Sequence, residues 1–85
     1  MLKIEIGEGE REPVVVRLEG RLVGPWVEEV RRACEMLLHR GERLTVDFSG
    51  VSFVDREGVA LCRRLRDRHA RLRNCSPFVK EQIDA

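Results

Sequence analysis

The sequence has few of the features that mark nucleic-acid-binding, membrane or exported proteins. It contains no tyrosine, only 5% aromatic residues and a net charge of +1, so it offers few side chains for base stacking and no overall attraction for phosphate. No stretch approaches the roughly 18 consecutive apolar residues of a transmembrane helix, and residues 1–12 lack the apolar run of a signal peptide. We therefore expect a cytoplasmic protein that neither enters a membrane nor binds nucleic acid.

Signals for catalysis, metals and cofactors are equally scarce. The cysteines at positions 34, 62 and 75 are odd in number and far apart, which fits reduced thiols better than disulfides or a CxxC site. His39 and His69 fall near predicted helix ends, and no nucleophile is paired with a base. A phosphate-binding loop of the GxxxxGK[ST] type does not occur. The sequence predicts no catalytic residue, no metal and no cofactor, and hence a protein that is not an enzyme.

The composition itself is that of a folded domain. Hydrophobic residues make up 42% and charged residues 36% of the 85 positions, which is globular rather than disordered. A chain of this length forms one modest core and buries only about 60% of the surface that its unfolded form exposes. We expect a single domain over residues 1–85, without room for a large buried pocket.

Alternation of apolar and polar residues predicts the strands. Leu2, Ile4 and Ile6 alternate with polar neighbours, and a β-branched run follows after a glycine-bearing turn at 7–12. The third strand is predicted to turn at Ser49–Gly50. The four predicted strands cover residues 2–6, 14–19, 44–54 and 70–75.

Helix signals separate these strands. Gly24–Pro25 is a favoured helix start because proline there loses no hydrogen bond, and Gly41 suits the left-handed turn that ends a helix. Asp55 and Ser76 are good N-terminal caps for two further helices. The predicted core faces comprise Trp26, Val30, Ala33, Cys34, Leu37 and Leu38 in the first helix, Gly58, Leu61, Cys62, Leu65 and His69 in the second, and Phe78, Val79, Gln82 and Ile83 in the third.

This order of elements predicts an α/β fold. An initial hairpin followed by strand, helix, strand, helix and strand requires parallel pairing between the later strands. The expected architecture is a mixed sheet of about four strands with a parallel core and helices packed on it.

Three segments, together with the order of elements, resemble the STAS domain of bacterial anti-sigma factor antagonists and of some anion-transporter tails. They are Leu18–Leu22, Val46–Val59 and Asn74–Pro77. Phosphorylatable members open the second helix with Asp-Ser-Ser-Gly, and a partner kinase that is also an anti-sigma factor phosphorylates the second serine. This chain has Asp55-Arg56-Glu57-Gly58 there, so Glu57 stands at the phosphoserine position and cannot accept a phosphate.

The residues at this helix start have their own physical roles. The Asp55 carboxylate is expected to accept from the N–H of Glu57 or Gly58, and Gly58 permits close approach of backbone. A negative Glu57 in the first turn is favoured by the helix dipole by ~0.3–1 kcal/mol. Arg56 and Val59 are expected to be exposed. With the resemblance, this predicts a partner-binding surface formed by residues 55–59 and a role in transcription regulation and signalling through protein–protein interaction.

Other functions stay open at this level. Within the same resemblance, the chain is a candidate STAS subunit of a membrane ABC lipid transporter. An arginine-rich segment at 63–73, comprising Arg63, Arg64, Arg66, Arg68, Arg71 and Arg73, raises nucleotide or nucleic-acid phosphate binding as an alternative of another class. The exposed edge of the sheet also leaves a homodimer open.

Overall fold

The structure, a computed structural model, describes residues 2–7 and 13–85. Residues 8–12, the body of the predicted first turn, lie outside this part of the chain. The elements follow the predicted order. They are β1 (Leu2–Gly7), β2 (Val14–Leu22), α1 (Pro25–His39), β3 (Leu44–Val54), α2 (Arg56–Asp67), β4 (Arg71–Arg73) and α3 (Pro77–Asp84).

The strands form one mixed sheet in the order β1-β2-β3-β4. β1 pairs antiparallel with β2, whereas β2 with β3 and β3 with β4 pair parallel. The predicted mixed sheet with a parallel core is therefore confirmed, and β2 has the central position that its β-branched run predicted.

One face of the sheet carries the core. Val16 and Val46 are fully buried and Phe48 is nearly so, while Arg17, between the buried positions of β2, is exposed. Because α1 contacts α2 and α2 contacts α3, the helices form one layer over the apolar face. Removing a core side chain as large as Phe48 would cost about 3–5 kcal/mol.

The opposite face is polar and is organised around Asp47. Its carboxylate accepts from the backbone N–H of Ser49 at 2.9 Å and the side-chain amide of Asn74 at 3.1 Å, and the Arg17 Nε lies 3.5 Å away. The Ser49 N–H, followed by the amide of Asn74 and by Arg17, lowers the pKa of Asp47 from 3.8 to about 2. Asn74, at φ 60°, follows the end of β4, which is shorter than predicted.

The predicted turn at Ser49–Gly50 is wrong, because β3 runs without a break through both residues. Register shifts relative to β2 occur between Arg17 and Glu19 and again between Gly20 and Arg21, so β3 contains bulges instead. A Cβ on Gly50 would lie only 2.7 Å from the Glu19 Cγ. The glycine therefore marks close approach of two strands, which the sequence cannot distinguish from a turn.

Most predicted helix faces are confirmed, with exceptions near the helix ends. Val27 is buried in α1 although it was not predicted, whereas Trp26 is only partly buried. His69 is exposed at φ 68° beyond the end of α2, because the helix stops before reaching it. Phe78 is 56% exposed in α3, since the buried face of this short helix follows Val79 and Ile83.

α1 and α2 end in the same type of turn. The N–H of Gly41 donates to the Leu38 carbonyl at 3.0 Å, and the following N–H donates to the Leu37 carbonyl at 3.1 Å. At the end of α2, His69 donates to the Arg66 carbonyl in the equivalent bond. These are Schellman turns, whose left-handed residue is usually glycine. The glycine predicted to end α1 is confirmed.

α3 lies beside the second half of β3, beyond the short strand β4. The Gln82 Nε2 donates to the Val54 carbonyl at 3.0 Å, and the Ser76 hydroxyl accepts from the Val79 N–H at 3.2 Å, which confirms the predicted cap. α3 thereby fixes its position against the last residues of β3.

Candidate functional site

The carboxyl ends of the parallel strands β2 and β3 bring two helix starts together. Leu22 and Val54 are register partners at these ends, and α1 and α2 begin within three residues of them. The Asp55 N–H donates to the Leu22 carbonyl at 3.1 Å. The predicted partner-binding segment is thus placed at the carboxyl end of the sheet, where open parallel sheets commonly bind ligands.

Asp55 holds both helix starts. Its Oδ1 accepts from the Gly58 N–H at 2.8 Å, as the sequence predicted. Its Oδ2 accepts from the Gly24 N–H at 2.9 Å, 31 residues away. Gly24, at φ 56°, has no side chain with which to cap α1. Asp55 therefore caps α2 and anchors α1, and this second bond was missed because a sequence does not show which distant N–H lies opposite.

Gly58 seats α2 against the strand ends. It is buried, and a Cβ at this position would lie 2.6 Å from the Val54 Cγ1 and 3.0 Å from the Leu22 carbonyl oxygen. Real Cβ atoms do not tolerate such contacts in a close-packed interior. The predicted close approach is confirmed, and it sets the depth at which the first turn of α2 lies.

The next side chains of α2 differ in exposure. Arg56 is exposed as expected, and Glu57 is exposed as well. Neither takes part in an ion pair within residues 2–7 and 13–85. Val59 is half-buried and packs against the core, so the prediction that it is exposed is wrong. Val59 lies at the edge of the buried face of α2, where its side chain still contacts core residues. The free charges of this site are therefore Arg56 and Glu57.

An aromatic pair lies next to this helix start and was not predicted as part of the site. The rings of Phe53 and Phe78 stack with centroids 6.3 Å apart and an interplanar angle of 30°. The Arg21 guanidinium carbon lies 5.5 Å from the centroid of the Phe53 ring, within cation–π range. Sequence spacing gave no signal for the pair because its rings come from a strand and from a helix 25 positions later.

The cysteines and histidines form no reactive constellation in the described residues. Cys34 and Cys62 are buried, and burial raises the pKa of each thiol to about 12. Burial also raises the pKa of the Cys75 thiol. Within residues 2–7 and 13–85, no three His, Cys, Asp or Glu side chains are grouped to hold a metal ion. The two buried thiols act as packing residues.

Half of the arginine-rich segment is engaged within the protein. Arg63 donates to the carbonyls that end α3. Arg66 pairs with Asp84 at 2.7 Å, and Arg68 pairs with Glu35 at 2.6 Å. These side chains tie α2 to α3 and to α1, so they are not free to form a continuous phosphate-binding surface.

Comparisons with known proteins agree with this architecture. A family profile described as "Mlab, STAS domain" matches residues 8–82. A structure described as the anti-sigma factor antagonist SpoIIAA in its unphosphorylated form shares 28% identity and a TM-score of 0.76, over 96% of this chain and 82% of that chain. No curated protein sequence matches the chain.

A more distant structure shows the same fold. It is an uncharacterized protein of the DUF3478 family from Shewanella loihica PV-4, described as having a SpoIIAA-like fold. It shares 13% identity and a TM-score of 0.59, over 91% of this chain and 69% of that chain. At this identity the likeness concerns the arrangement of strands and helices alone.

Proposed function

Because the chain belongs to the STAS domain family, we propose that it is a non-enzymatic regulatory module of the anti-sigma factor antagonist type. It acts in the bacterial cytoplasm by binding a partner protein through the α2 start at residues 55–59. The observation that carries the proposal is the division of roles at this start. Asp55 and Gly58 hold the backbone, while Arg56 and Glu57 face solvent.

A rigid helix start is a good platform for a partner. An interface formed by a preorganised backbone avoids much of the entropy cost of ordering a loop on binding. Exposed charges without internal ion pairs remain available to complementary charges of the partner. In this arrangement Asp55 and Gly58 position the surface. The side chains that contact the partner are Arg56, Glu57 and the exposed part of Val59.

Glu57 makes regulation by phosphorylation at this position impossible, since a carboxylate has no hydroxyl to phosphorylate. It supplies one negative charge where a phosphoserine would supply roughly 1.5 to 2. Two forms of regulation follow. Either Glu57 keeps the protein in the equivalent of a phosphorylated, released state, or the partner carries a matching basic group and binding is constitutive.

The test is the affinity of Glu57→Gln and Glu57→Ser for a purified kinase-like anti-sigma factor from the same organism. Tighter binding of both variants supports the released state, and weaker binding supports the matched contact; either change is expected to be about tenfold for a charged contact. Asp67→Asn is the matched control, because Asp67 is exposed at the opposite end of α2. If wild type and variants bind no anti-sigma factor, the proposal is wrong.

The second candidate is a STAS subunit of a membrane ABC lipid transporter, which the family resemblance also implies. In the described residues, helices long and apolar enough to cross a membrane are absent, so such a subunit would be attached through a protein contact. Measuring binding to a purified transporter ATPase subunit alongside the anti-sigma factor separates the two candidates. Nucleic-acid phosphate binding is the weakest candidate because half of its arginines already have partners.

A further inference from the structure

We propose that the docking surface extends from the α2 start onto Arg21, Phe53 and Phe78, called here the aromatic extension. It accepts a partner protein segment that presents an apolar side chain next to a carboxylate. This inference rests on the proposed function, because the same partner would contact both parts of the surface. It adds the position and the chemistry of a second set of contacts.

Phe78 is the apolar anchor of the aromatic extension. Within residues 2–7 and 13–85, the large hydrophobic side chains with high exposure are Ile6, Met36 and Phe78. Of these, Phe78 alone is stacked on another aromatic ring. The cap at Ser76 fixes the backbone of the first turn of α3, and stacking on Phe53 restricts the Phe78 ring. A rigid, exposed aromatic side chain loses little conformational entropy on binding, as in the anchors of many protein interfaces.

Arg21 gives the aromatic extension its charge preference. Its guanidinium lies over the Phe53 ring, and it forms no ion pair with the residues that the structure describes. Arg66 and Arg68, by contrast, pair with internal carboxylates. Stacking leaves the N–H edge of a guanidinium available for a bidentate carboxylate contact. Charge complementarity therefore selects an acidic group next to the apolar one.

The aromatic extension and the α2 start are close in the chain and are both tied to the end of β3. Phe53 and Asp55 are separated only by Val54, whose carbonyl accepts the Gln82 hydrogen bond from α3. Phe78 belongs to the same helix as Gln82. The Phe53–Phe78 pair and the first turn of α2 are thus both anchored at the end of β3, which is the basis for assigning them to one partner.

Site-specific photo-crosslinking in the native cell locates this partner. Benzoylphenylalanine is placed at position 78, at position 56 or at position 36, and captured peptides are identified by mass spectrometry. Position 56 reports the α2 start. Position 36 is the matched control, because Met36 is 54% exposed and Phe78 is 56% exposed. We expect positions 78 and 56 to capture the same protein, and position 78 to capture a segment with an apolar residue beside Asp or Glu.

Each other outcome overturns the inference in a distinguishable way. If position 56 captures a partner but the crosslinking yield at position 78 is no higher than at position 36, the aromatic extension is wrong and the proposed function stands. Capture at 78 alone shows a separate surface. Capture of a second copy of this chain at 78 shows that the occupant is wrong. If neither position 78 nor position 56 captures a protein, the result contradicts the proposed function as well.

Affinity for the captured partner gives a quantitative check. Phe78→Ser is expected to weaken binding by about tenfold or more, and Met36→Ser by less than about twofold. Arg21→Gln should weaken binding about three- to tenfold at low salt, and less at high salt. Equal effects of Phe78→Ser and Met36→Ser would show that surface hydrophobicity in general, and not this site, governs binding.

Discussion

At the carboxyl end of the parallel strands, one carboxylate, that of Asp55, fixes two helix starts, while Arg56 and Glu57 remain exposed without ion pairs in the described residues. At the amino end, where α1 and α2 finish, Arg68 and Glu35 form an ion pair that links the two helices. Cations near helix ends complement the partial negative charge of the last carbonyls. The difference indicates that neighbouring residues at the carboxyl end have separate roles: Asp55 stabilises the domain, whereas Arg56 and Glu57 form no ion pair within residues 2–7 and 13–85.

The largest expected effect comes from the buried glycine at the carboxyl end. Gly58→Ala should destabilise the protein by about 2–3 kcal/mol, because overpacking against Val54 and Leu22 exceeds the ~1 kcal/mol that alanine gains over glycine in a helix. Urea unfolding followed by the fluorescence of Trp26, the single tryptophan, measures it. Gly7→Ala is the control, since its Cβ would meet only an ordinary contact at 3.9 Å. Equal stability of the two variants would contradict the close approach.

Asp55 provides the next test of the comparison. Asp55→Ala should cost about 2 kcal/mol, whereas Ser76→Ala should cost about 1 kcal/mol, because Asp55 satisfies two backbone N–H groups and Ser76 satisfies one. Both variants are measured by urea unfolding. If they cost the same, the bond between Asp55 and Gly24 contributes nothing, and the two helix starts are independent.

Asp47 lies between the two ends of the sheet, and its lowered pKa leads to a prediction about stability in acid. The pKa of Asp47 in the folded protein is about 2, below the ordinary value of 3.8, so its contribution is present above about pH 4 and is lost as the pH falls toward 2. After allowance for solvent screening, this amounts to about 1 kcal/mol. The measurement is urea unfolding at pH 5 and pH 2.5 for wild type and Asp47→Asn. The variant should lose less stability between the two pH values; an identical loss would assign the effect to other carboxyl groups.

The smallest effect is expected at the amino end and has the opposite sign. His69→Gly should stabilise the protein by about 0.5–1 kcal/mol, because glycine adopts the left-handed conformation at φ 68° without steric cost. Gly41→Ala, in the equivalent turn of α1, should destabilise by about 1 kcal/mol. Thermal unfolding of both variants checks the pair. Destabilisation by His69→Gly would show that the imidazole makes a contribution beyond the turn.

The sequence predicted the parts of the fold that depend on local chemistry. The start of α1 at Gly24–Pro25 follows from proline geometry, and the caps at Asp55 and Ser76 follow from hydrogen bonds within one turn. The parallel pairing of β2 with β3 follows from the intervening helix. The helix starts and caps involve residues within one turn, and the parallel pairing depends only on the helix between the two strands.

What the sequence did not predict depends on distant partners. Ser49–Gly50 has the composition of a turn, but its close approach to β2 gives a bulge. The contact between Asp55 and Gly24 joins residues 31 positions apart. Phe78 falls beside the buried face of α3 instead of on it, and its stacking partner lies in another element. These features require the folded register, which apolar spacing alone does not contain.

The placement of α3 beside the second half of β3 has a consequence for solubility. β4 pairs with residues 45–47 of β3 only, so the following stretch would offer open backbone groups to a strand of another molecule. α3 covers this side, and Gln82 occupies the carbonyl of Val54. Intermolecular strand addition, the first step of sheet-type aggregation, is thereby blocked along this border.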